Sequence, residues 1–383
     1  MGWLSRFRNR SGITVTKYQM ITDNGNGFYA WNGKLYQSDV VRAAIRPKAQ
    51  AIGKTIGKHI RSGIEGTKVN PDVYMRFLLE EPNPYMTGQQ LQEKLATHLE
   101  LNNNAFAYIN RDENGYPIEI YPITAVTAEA IKNDSGELFI RFNLKNGKTV
   151  TFRYSDIIHL RKDFNDNEIF GDSPAQSLVP LMEIINTTDQ GIVKAIKNSN
   201  VIKWLLKFNQ TLRPEDIKKN TKEFVDNFLN IDTSETVGAA AVDAKMDAQQ
   251  VKPNDYVPNE NQMTKAVERV YSFFNTNIKI IQGNYSENEW ISYYESSIEP
   301  VVTQLSGEYT RKLFSRRERG FGNKILFESS NLTFASMQTK LNLVQFVDRG
   351  ILNPNEVREI LNMAPREGGD EYIRRLDTRP TSE

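Results

Sequence analysis

The sequence predicts an α+β fold made of a mainly antiparallel sheet and long helices. Between Asn104 and Arg161 the chain is a series of short segments rich in β-branched and aromatic residues, NAFAYINR, PIEIYPI, LFIRFNL, TVTFRY and DIIHLR, which is typical of strands. Asn146-Gly147 separates the third segment from the fourth, and both residue types accept the positive φ angles of a two-residue hairpin turn. On either side of this region apolar residues recur three and four positions apart, the period of a helix with one buried face.

Composition limits the size, the partners and the chemistry of the protein. A chain of 383 residues exceeds what one hydrophobic core usually holds, so we expect two or more subdomains or an elongated subunit. The 48 basic residues nearly equal the 47 acidic ones, which gives no overall attraction to a polyanion. Cysteine is absent, which excludes disulfides and thiolate-based sites. No apolar run approaches the ~20 residues of a membrane helix, so a soluble intracellular protein without a membrane partner is expected.

The front of the chain is predicted to contain an arm and two helices. Residues 1–37 show no sustained period and are expected to form an extended arm. One long helix is predicted from Ser38 to Ile60, with Ser38 as its N-cap and Pro47 as a kink. A second helix is predicted over residues 88–101, after a turn-rich segment.

Behind the predicted sheet, helices alternate with short strands. A helix over 174–199 leads to a small α/β unit, after which a helix ends near Phe274. A long helix follows, with an apolar stripe that Pro300 interrupts. The small unit is expected to hold a strand in VIKWLLKF, a helix over 214–229, and strands over 238–242 and 246–251. Two short helices are predicted near the end of the chain, over 336–349 and 354–362.

The stretch GDSPA contains the one serine that resembles a catalytic nucleophile. It is similar to the nucleophile elbow G-x-S-x-G, so a serine hydrolase using Ser173 is one hypothesis. In that motif the backbone N–H of the residue after the serine helps to form the oxyanion hole, but here that residue is Pro174, which has no N–H. The sequence instead favours Ser173 as the N-cap of a helix whose first residue is Pro174.

Other motif matches are incomplete. GKT at Gly53 lacks the first glycine of a P-loop, because position 48 is Lys48. GNGFYA at Gly25 is followed by WNGK where a dinucleotide-binding fold requires a helix. The three histidines are far apart and have no metal-binding spacing. The basic run Ser315 to Lys324 is either a solvated turn or a contact for an acidic partner. We therefore expect no enzyme activity, no cofactor and no metal.

A short helix near the end of the chain has a sharply specified start. Asn353 is its predicted N-cap and Pro354 its first residue. Glu356, three positions after the cap, can return a hydrogen bond to the N–H of Asn353, which is the arrangement of a capping box. This start is defined by local chemistry rather than by burial.

The same stretch, GILNPNEVREILNMAPREGGD, resembles the end of tailed-bacteriophage portal proteins of the long-tailed branch. The resemblance includes Arg358, Gly368, Gly369 and Asp370 in addition to the capping residues. Other blocks resemble the same family in the same order, and together they cover most of the span from Ser38 to Asp370. They are SDVVRAAIRPKAQAIGKTIG, the segment from LLEEPNPY to EIYPI, DIIHLRKDFNDNEIFGDSP, and the long helix with the Pro300 of IEP.

The resemblance implies a portal-type subunit that assembles as a ring, commonly of twelve copies, at one capsid vertex. Such a ring conducts double-stranded DNA during packaging and ejection. It implies terminase, a head-tail adaptor, and major capsid and scaffolding proteins as partners, assembly in the host cytoplasm, and a final location in the virion. The alternative within the same setting is a head-tail connector ring that does not translocate DNA.

The resemblance also implies a division of the chain. The wing would be 38–173, between the arm at 1–37 and a stem helix at 174–200. The clip at 201–256 and a second stem helix at 257–275 would follow, then a channel loop with the long kinked wing helix at 276–335, and the crown at 336–383. The chain departs from the family pattern at Asn103-Asn104, where the family usually has Gly-Asn, and at NIKIIQG, where it often has VPP.

The second departure affects the expected channel loop, Asn275 to Asn288. This segment is expected to face DNA through one cation and three polar side chains, a composition that can touch phosphates without holding them. Its apolar residues Ile278, Ile280 and Ile281 leave a second interpretation open, a buried connector between helices. The expected channel-facing residues are Lys279, Gln282, Asn284 and Ser286.

Overall fold

The structure is a computed structural model that describes most of the chain in two compact units. One unit comprises Met1–Val179 with Glu268–Glu383, and the other comprises Pro180–Val267. The described residues are 19–20, 27–29, 35–63, 66–165, 168–199, 203–208, 211–226, 246–251, 260–328, 342–361 and 363–373.

The first unit begins with parts of the predicted arm. Two short strands, β1 (Gln19–Met20) and β2 (Gly27–Tyr29), pair antiparallel with a later strand, β7 (Ala125–Lys132). Helix α1 (Asp39–Gly53) follows, and the Ser38 hydroxyl caps it by accepting from the N–H of Val41. Pro47 lies inside α1, which continues past it.

The prediction of one helix from Ser38 to Ile60 is wrong beyond Gly53. Residues Ile56–Gly63 form strand β3, which pairs with β4 (Gly66–Val69) and with β13 (Asn323–Glu328). Ile56 and Ile60 continue the helical spacing of α1, but the partner strand lies far away in the sequence and gives no local signal. Gly57 fits this pairing, because a Cβ there would lie 2.9 Å from the ring of Phe327.

Two further helices precede the main sheets. They are α2 (Val73–Glu80) and α3 (Gly88–Asn102), the second of which confirms the helix predicted over 88–101. Thr87 and Gln90 form a capping box at the start of α3. Asn103 ends α3 in the left-handed region, with φ of 54°.

Two antiparallel sheets form the centre of the first unit. Their strands are β5 (Asn104–Arg111), β6 (Pro117–Ile123), β8 (Leu138–Leu144), β9 (Thr149–Arg153) and β10 (Ile157–Arg161), together with β1, β2 and β7. The sheet β10-β5-β6 holds the first, second and last of the predicted strands, and β1-β7-β8-β9, with β2 also on β7, holds the other two. Phe106, Phe142 and Phe170 pack edge to face in the core that they share. Strand β7 was not predicted, because AVTAEAIK is rich in residues that favour helices.

The hairpin between β8 and β9 forms where it was predicted, with a different turn. Of its two predicted turn residues only Gly147 has a positive φ, 76°. Leu144 donates its N–H to the carbonyl of Lys148 and accepts from the N–H of Gly147. The loop therefore has three residues and ends in a left-handed glycine, instead of a two-residue turn with two positive φ angles.

The long helix predicted after residue 288 is divided into segments. Helix α8 (Glu287–Tyr293) leads into one π-helical turn, Tyr294–Ile298, and then into α9 (Glu299–Leu313). Pro300 lies in the first turn of α9, so its missing N–H coincides with the local change in hydrogen bonding. The prediction of a helix interrupted by Pro300 is thus refined to a π-helical turn immediately before it.

The remaining elements of the first unit follow α9. Strand β13 was not predicted; it packs on α9, where Thr310 accepts from the N–H of Ile325 at 2.8 Å and Tyr309 meets the ring of Phe327 edge to face. Two short tail helices are described, and the first lies within the helix predicted over 336–349, of which residues 336–341 lie outside the described residues. The elements are α10 (Arg316–Gly320), α11 (Leu343–Asp348) and α12 (Pro354–Ile360).

The second unit contains the predicted small α/β arrangement. Strand β11 (Lys203–Phe208) pairs antiparallel with β12 (Met246–Val251), and α5 (Pro214–Phe224) follows β11. Helices α4 (Ala175–Ser199) and α6 (Glu260–Phe273) each have part of their length in this unit. The strand predicted over 238–242 lies outside the described residues.

Candidate functional site

The segment that leads into α4 is held by the side chain of Asn104, the first residue of β5. The Asn104 Oδ1 accepts from the N–H of Gly171 at 2.8 Å, and its Nδ2 donates to the carbonyl of Gly171 at 2.8 Å. Asn104 is fully buried. One amide thereby satisfies both backbone groups of Gly171, in surroundings where an unpaired polar group would be costly. We call Asn103, Asn104, Gly171 and Asp172 the joint.

Close packing explains why the joint needs glycine and asparagine. A Cβ on Gly171 would lie 2.3 Å from the carbonyl oxygen of Lys162 and 2.4 Å from that of Asn103, so no side chain fits. Asn103 has the left-handed φ that glycine adopts most easily. Its Nδ2 donates to the carbonyl of Asp172 at 2.8 Å. The departure from Gly-Asn to Asn103-Asn104 is therefore accommodated, because asparagine tolerates this conformation and adds a hydrogen bond.

His159 on β10 forms a hydrogen bond with the side chain of Asn104. Its Nε2 lies 3.1 Å from the Asn104 Oδ1, which already accepts from Gly171, so Nε2 carries the proton. Its Nδ1 then accepts from the hydroxyl of Tyr154 at 3.3 Å. Burial, together with the positive charges of Arg161, Lys312 and Arg311, holds the pKa of His159 well below its usual value. The imidazole is therefore neutral, and both of its nitrogens have structural partners.

A buried ion network adjoins the joint. Glu100 on α3 accepts from Lys48 of α1 at 3.0 Å and from Lys162, which follows β10, at 2.7 Å. Burial alone would raise the pKa of Glu100, but the two ammonium groups lower it below its ordinary value. The carboxylate is thus ionised and ties three parts of the first unit together.

Ser173 lies directly after the joint and accepts from the N–H of Ala175 at 3.3 Å. Pro174 accepts from the N–H of Leu178 at 3.1 Å through its carbonyl, so the helical hydrogen bonds begin there. This is the geometry of an N-cap followed by proline. Since His159 is engaged with Asn104 and Tyr154, it is not placed to activate Ser173.

Residues 353–361 and 363–373 form a small closed loop, which we call the tail loop. Asn353 Oδ1 accepts from the N–H of Glu356 at 2.8 Å, and Glu356 Oε2 accepts from the N–H of Asn353 at 2.7 Å, which completes the capping box. Pro354 is the first residue of α12. Arg358 donates through Nε to the carbonyl of Ala364 at 2.7 Å.

Asn355, which was not among the site residues predicted from the sequence, closes this loop. Its Nδ2 donates to the carbonyl of Arg366 at 3.0 Å and to Asp370 at 2.8 Å, and its N–H donates to the carbonyl of Gly369 at 2.9 Å. A Cβ on Gly369 would lie 2.3 Å from the Asn355 Oδ1, and Gly368 has a φ of 72°. The residues of the motif thus form hydrogen bonds mainly with one another. The sequence signal that could have indicated this role is an asparagine in the first turn of a helix.

Half of the expected channel loop is helical. Residues Ile278–Gln282 form α7, which Gly283 ends with a φ of 72°, and Ser286 caps α8 in a capping box with Glu289. Lys279 forms an ion pair with Glu289. Hydrogen bonds from Lys279 and from the N–H of Ser286 lower the pKa of Glu289 to about 2. Gln282 and Asn284 are exposed, Ile280 is buried, and Ile278 is exposed, so the segment combines features of both interpretations left open by the sequence.

The family model of phage portal proteins matches residues 39–362. The chain belongs to the phage portal protein family. The resemblance stated from the sequence is confirmed, and so is the α+β class, since the fold is that of portal proteins. Portal proteins are structural, non-enzymatic components of phage capsids.

Two curated relatives are described as probable portal proteins, from Lactococcus phage p2 and Lactococcus phage SK1. Each is 25% identical over 184 residues, which is 46% of this chain and 49% of the relative. The chain therefore spans about half the length of the curated relatives it matches.

Solved structures similar to the chain show its fold. A protein in the neck of an empty gene transfer agent particle has a TM-score of 0.64 at 14% identity, covering 89% of this chain and 96% of that protein. An HK97 family phage portal protein from Corynebacterium diphtheriae has a TM-score of 0.53 at 14% identity, covering 81% of this chain and 98% of that protein. At such identities the likeness concerns the fold alone.

Proposed function

We propose that the protein forms the ring at a unique capsid vertex through which double-stranded DNA is packaged and ejected. The observation that carries this proposal is the match to the portal family over residues 39–362. The ring assembles in the host cytoplasm, where it docks terminase and a head-tail adaptor and contacts the major capsid and scaffolding proteins, and its final location is the virion. Its role is structural, without catalysis by Ser173.

The ring is proposed to contain twelve subunits. A gene transfer agent neck that shares the fold was solved with twelvefold symmetry. Closed rings of identical subunits use head-to-tail contacts between two different surfaces of each copy.

Among the described residues, no helix is both long and apolar enough to cross a bilayer.

The division into arm, wing, stem, clip and crown is proposed with the boundaries given above. The compact unit Pro180–Val267 supports it, because that unit holds most of the proposed first stem helix and clip. For the channel, we propose that Lys279, Gln282, Asn284 and Ser286 face DNA. The ion pair between Lys279 and Glu289 supports a surface that touches phosphates weakly, because unpaired cations would bind the duplex and oppose its movement.

Native mass spectrometry combined with electron microscopy of purified protein tests the ring. We expect closed rings of twelve subunits, or of a neighbouring number in isolation, with an open channel of duplex width. A stable monomer or dimer at every salt and protein concentration would contradict the proposal. A closed ring that assembles into particles but supports no packaging, when the other packaging components are active, would favour the connector alternative.

A further inference from the structure

A cavity of about 610 Å³ lies beside α1 and α3 in the first unit. Its apolar lining residues, here called the floor, include Ala49, Leu101, Phe106 and Ile123. The turns after β6 and β8 also line the cavity. Ligand-binding cavities in proteins commonly have volumes of about 300 to 1,000 Å³ and an apolar lining with a few polar groups. Asn104 of the joint is among the residues that line this cavity, whereas the tail loop and the proposed channel segment contribute none of the described lining residues.

Three cations line the cavity, Arg46 of α1, Lys94 of α3 and Lys145 of the β8–β9 turn. None of them forms an ion pair or hydrogen bond with another side chain in the part of the chain that the structure describes. Glu93 is the acidic residue among the described lining residues, and its carboxylate accepts from Gln89 at 3.1 Å. By contrast, the buried Lys48 and the half-buried Lys162 are both paired with Glu100. Among the described lining residues, three cations therefore stand against one carboxylate, and the cavity carries a net positive charge there.

Burial and the positive charge of the cavity lower the pKa values of two lining residues. Burial, followed by the charges of Lys94 and Lys145, lowers the pKa of His98 to about 4. His98 is one of the lining residues, and it is neutral at physiological pH. Burial also lowers the pKa of Lys94. A partly desolvated ammonium group gains stability from an opposite charge nearby, which favours an anionic occupant.

The apolar floor decides which kind of anion fits. A free phosphate would pair with the cations and leave the floor empty, and a DNA duplex presents its phosphates on a convex surface that cannot reach into a cavity. An acidic peptide carries both carboxylates for the rim and an apolar side chain for the floor. We propose that this cavity binds a short acidic segment of a partner protein, with carboxylates at Arg46, Lys94 and Lys145 and an apolar side chain on the floor. The proposal does not depend on ring formation.

Fluorescence anisotropy with the full chain tests this site. The probe is a labelled twelve-residue peptide in which glutamates flank a central Leu-Phe pair, and the control peptide has every glutamate replaced by glutamine. We expect the acidic peptide to bind at least about tenfold more tightly than its control, since charge-assisted contacts are the stronger ones. Equal affinity for the two peptides would overturn the proposal.

Matched variants locate the binding. The double variant Lys94→Gln with Lys145→Gln should weaken acidic-peptide binding at least about tenfold, which corresponds to about 1.4 kcal/mol. Lys148→Gln is the control, because it removes one positive charge from the same hairpin at a residue outside the cavity lining. A double variant that binds like Lys148→Gln would show that the cavity is not the site.

A gain of charge provides a test that does not remove any contact of the folded protein. Gln50 is an exposed residue of α1 that lines the cavity. Gln50→Glu places a carboxylate beside the cations and should weaken peptide binding while leaving the melting temperature nearly unchanged. Unlabelled inorganic phosphate and a short DNA duplex serve as competitors. Displacement of the peptide by either one at lower concentration than by unlabelled peptide would contradict a peptide site and identify a phosphate site instead.

Discussion

Asn104 and Gly171 are joined by two hydrogen bonds of 2.8 Å between one side-chain amide and both backbone groups of the glycine. The first residue of a central strand and the segment leading into α4 therefore keep a fixed geometry. The imidazole of His159 orients the amide, and the Lys48–Glu100–Lys162 network lies beside it. We regard the joint as the structural element that positions the start of α4 on the first unit.

Asn104→Ala should destabilise the protein by about 2 to 5 kcal/mol, because it leaves the buried N–H and carbonyl of Gly171 without partners. Urea denaturation followed by circular dichroism measures the change. Asn114→Ala, at an exposed turn residue, is the matched control and should have little effect. Equal stabilities of the two variants would contradict the role given to the joint.

Gly171→Ala should be more damaging, by more than about 4 kcal/mol or to the point of insoluble expression, because the Cβ would overlap two carbonyl oxygens. Gly191→Ala is the comparison, since a Cβ there would meet nothing within 4 Å beyond its chain neighbours and its own helix backbone, and alanine favours helix by about 1 kcal/mol. Soluble expression and thermal melting distinguish them. A Gly171→Ala protein that melts like the Gly191→Ala protein would be inconsistent with the close packing described.

Acid should destabilise the protein through His159. Its pKa is lowered in the folded state, so below the unfolded value of about 6.5 the unfolded chain binds the additional proton. The stabilisation is complete above that pH and is lost as the pH falls, with a slope of up to about 1.4 kcal/mol per pH unit. Denaturation between pH 5 and pH 7.5 should show a steeper slope in the wild type than in His159→Phe. Identical slopes would show that His159 does not contribute.

Ser173→Ala should lower stability by about 0.5 to 2 kcal/mol, the effect of a lost N-cap, and should leave ring assembly and DNA packaging intact. Thermal melting and an in vitro packaging assay measure both quantities. If the variant keeps its stability but packages no DNA, Ser173 has a role other than capping.

Lys279→Ala with Asn284→Ala should leave ring assembly and the melting temperature nearly unchanged, because both side chains are exposed. If the segment faces the channel, packaging or DNA retention should fall, since two contacts to passing phosphates are removed. Rings are counted by native mass spectrometry and packaged DNA by nuclease protection. Failure to form rings, or normal packaging, would place the DNA-facing surface elsewhere.

Local chemistry was predictable from the sequence, whereas long-range pairing was not. The capping box of Asn353 and Glu356 depends on residues three positions apart, and the structure has both of its hydrogen bonds. Strand β3 depends on β13, as in the contact between His59 and Asn323, which are 264 positions apart. Its local spacing matched a helix equally well. The role of Asn104 was hidden for the same reason, because Gly171 is 67 positions away.

The tail loop has a consequence for how this part of the chain forms. Every hydrogen bond described for it, including that from Tyr372 to Glu356, joins residues at most 16 positions apart. Contacts of such short range form early and rapidly, because little chain must be brought together. The loop can therefore take up its structure early, without waiting for the distant strands whose pairing completes the sheets of the first unit.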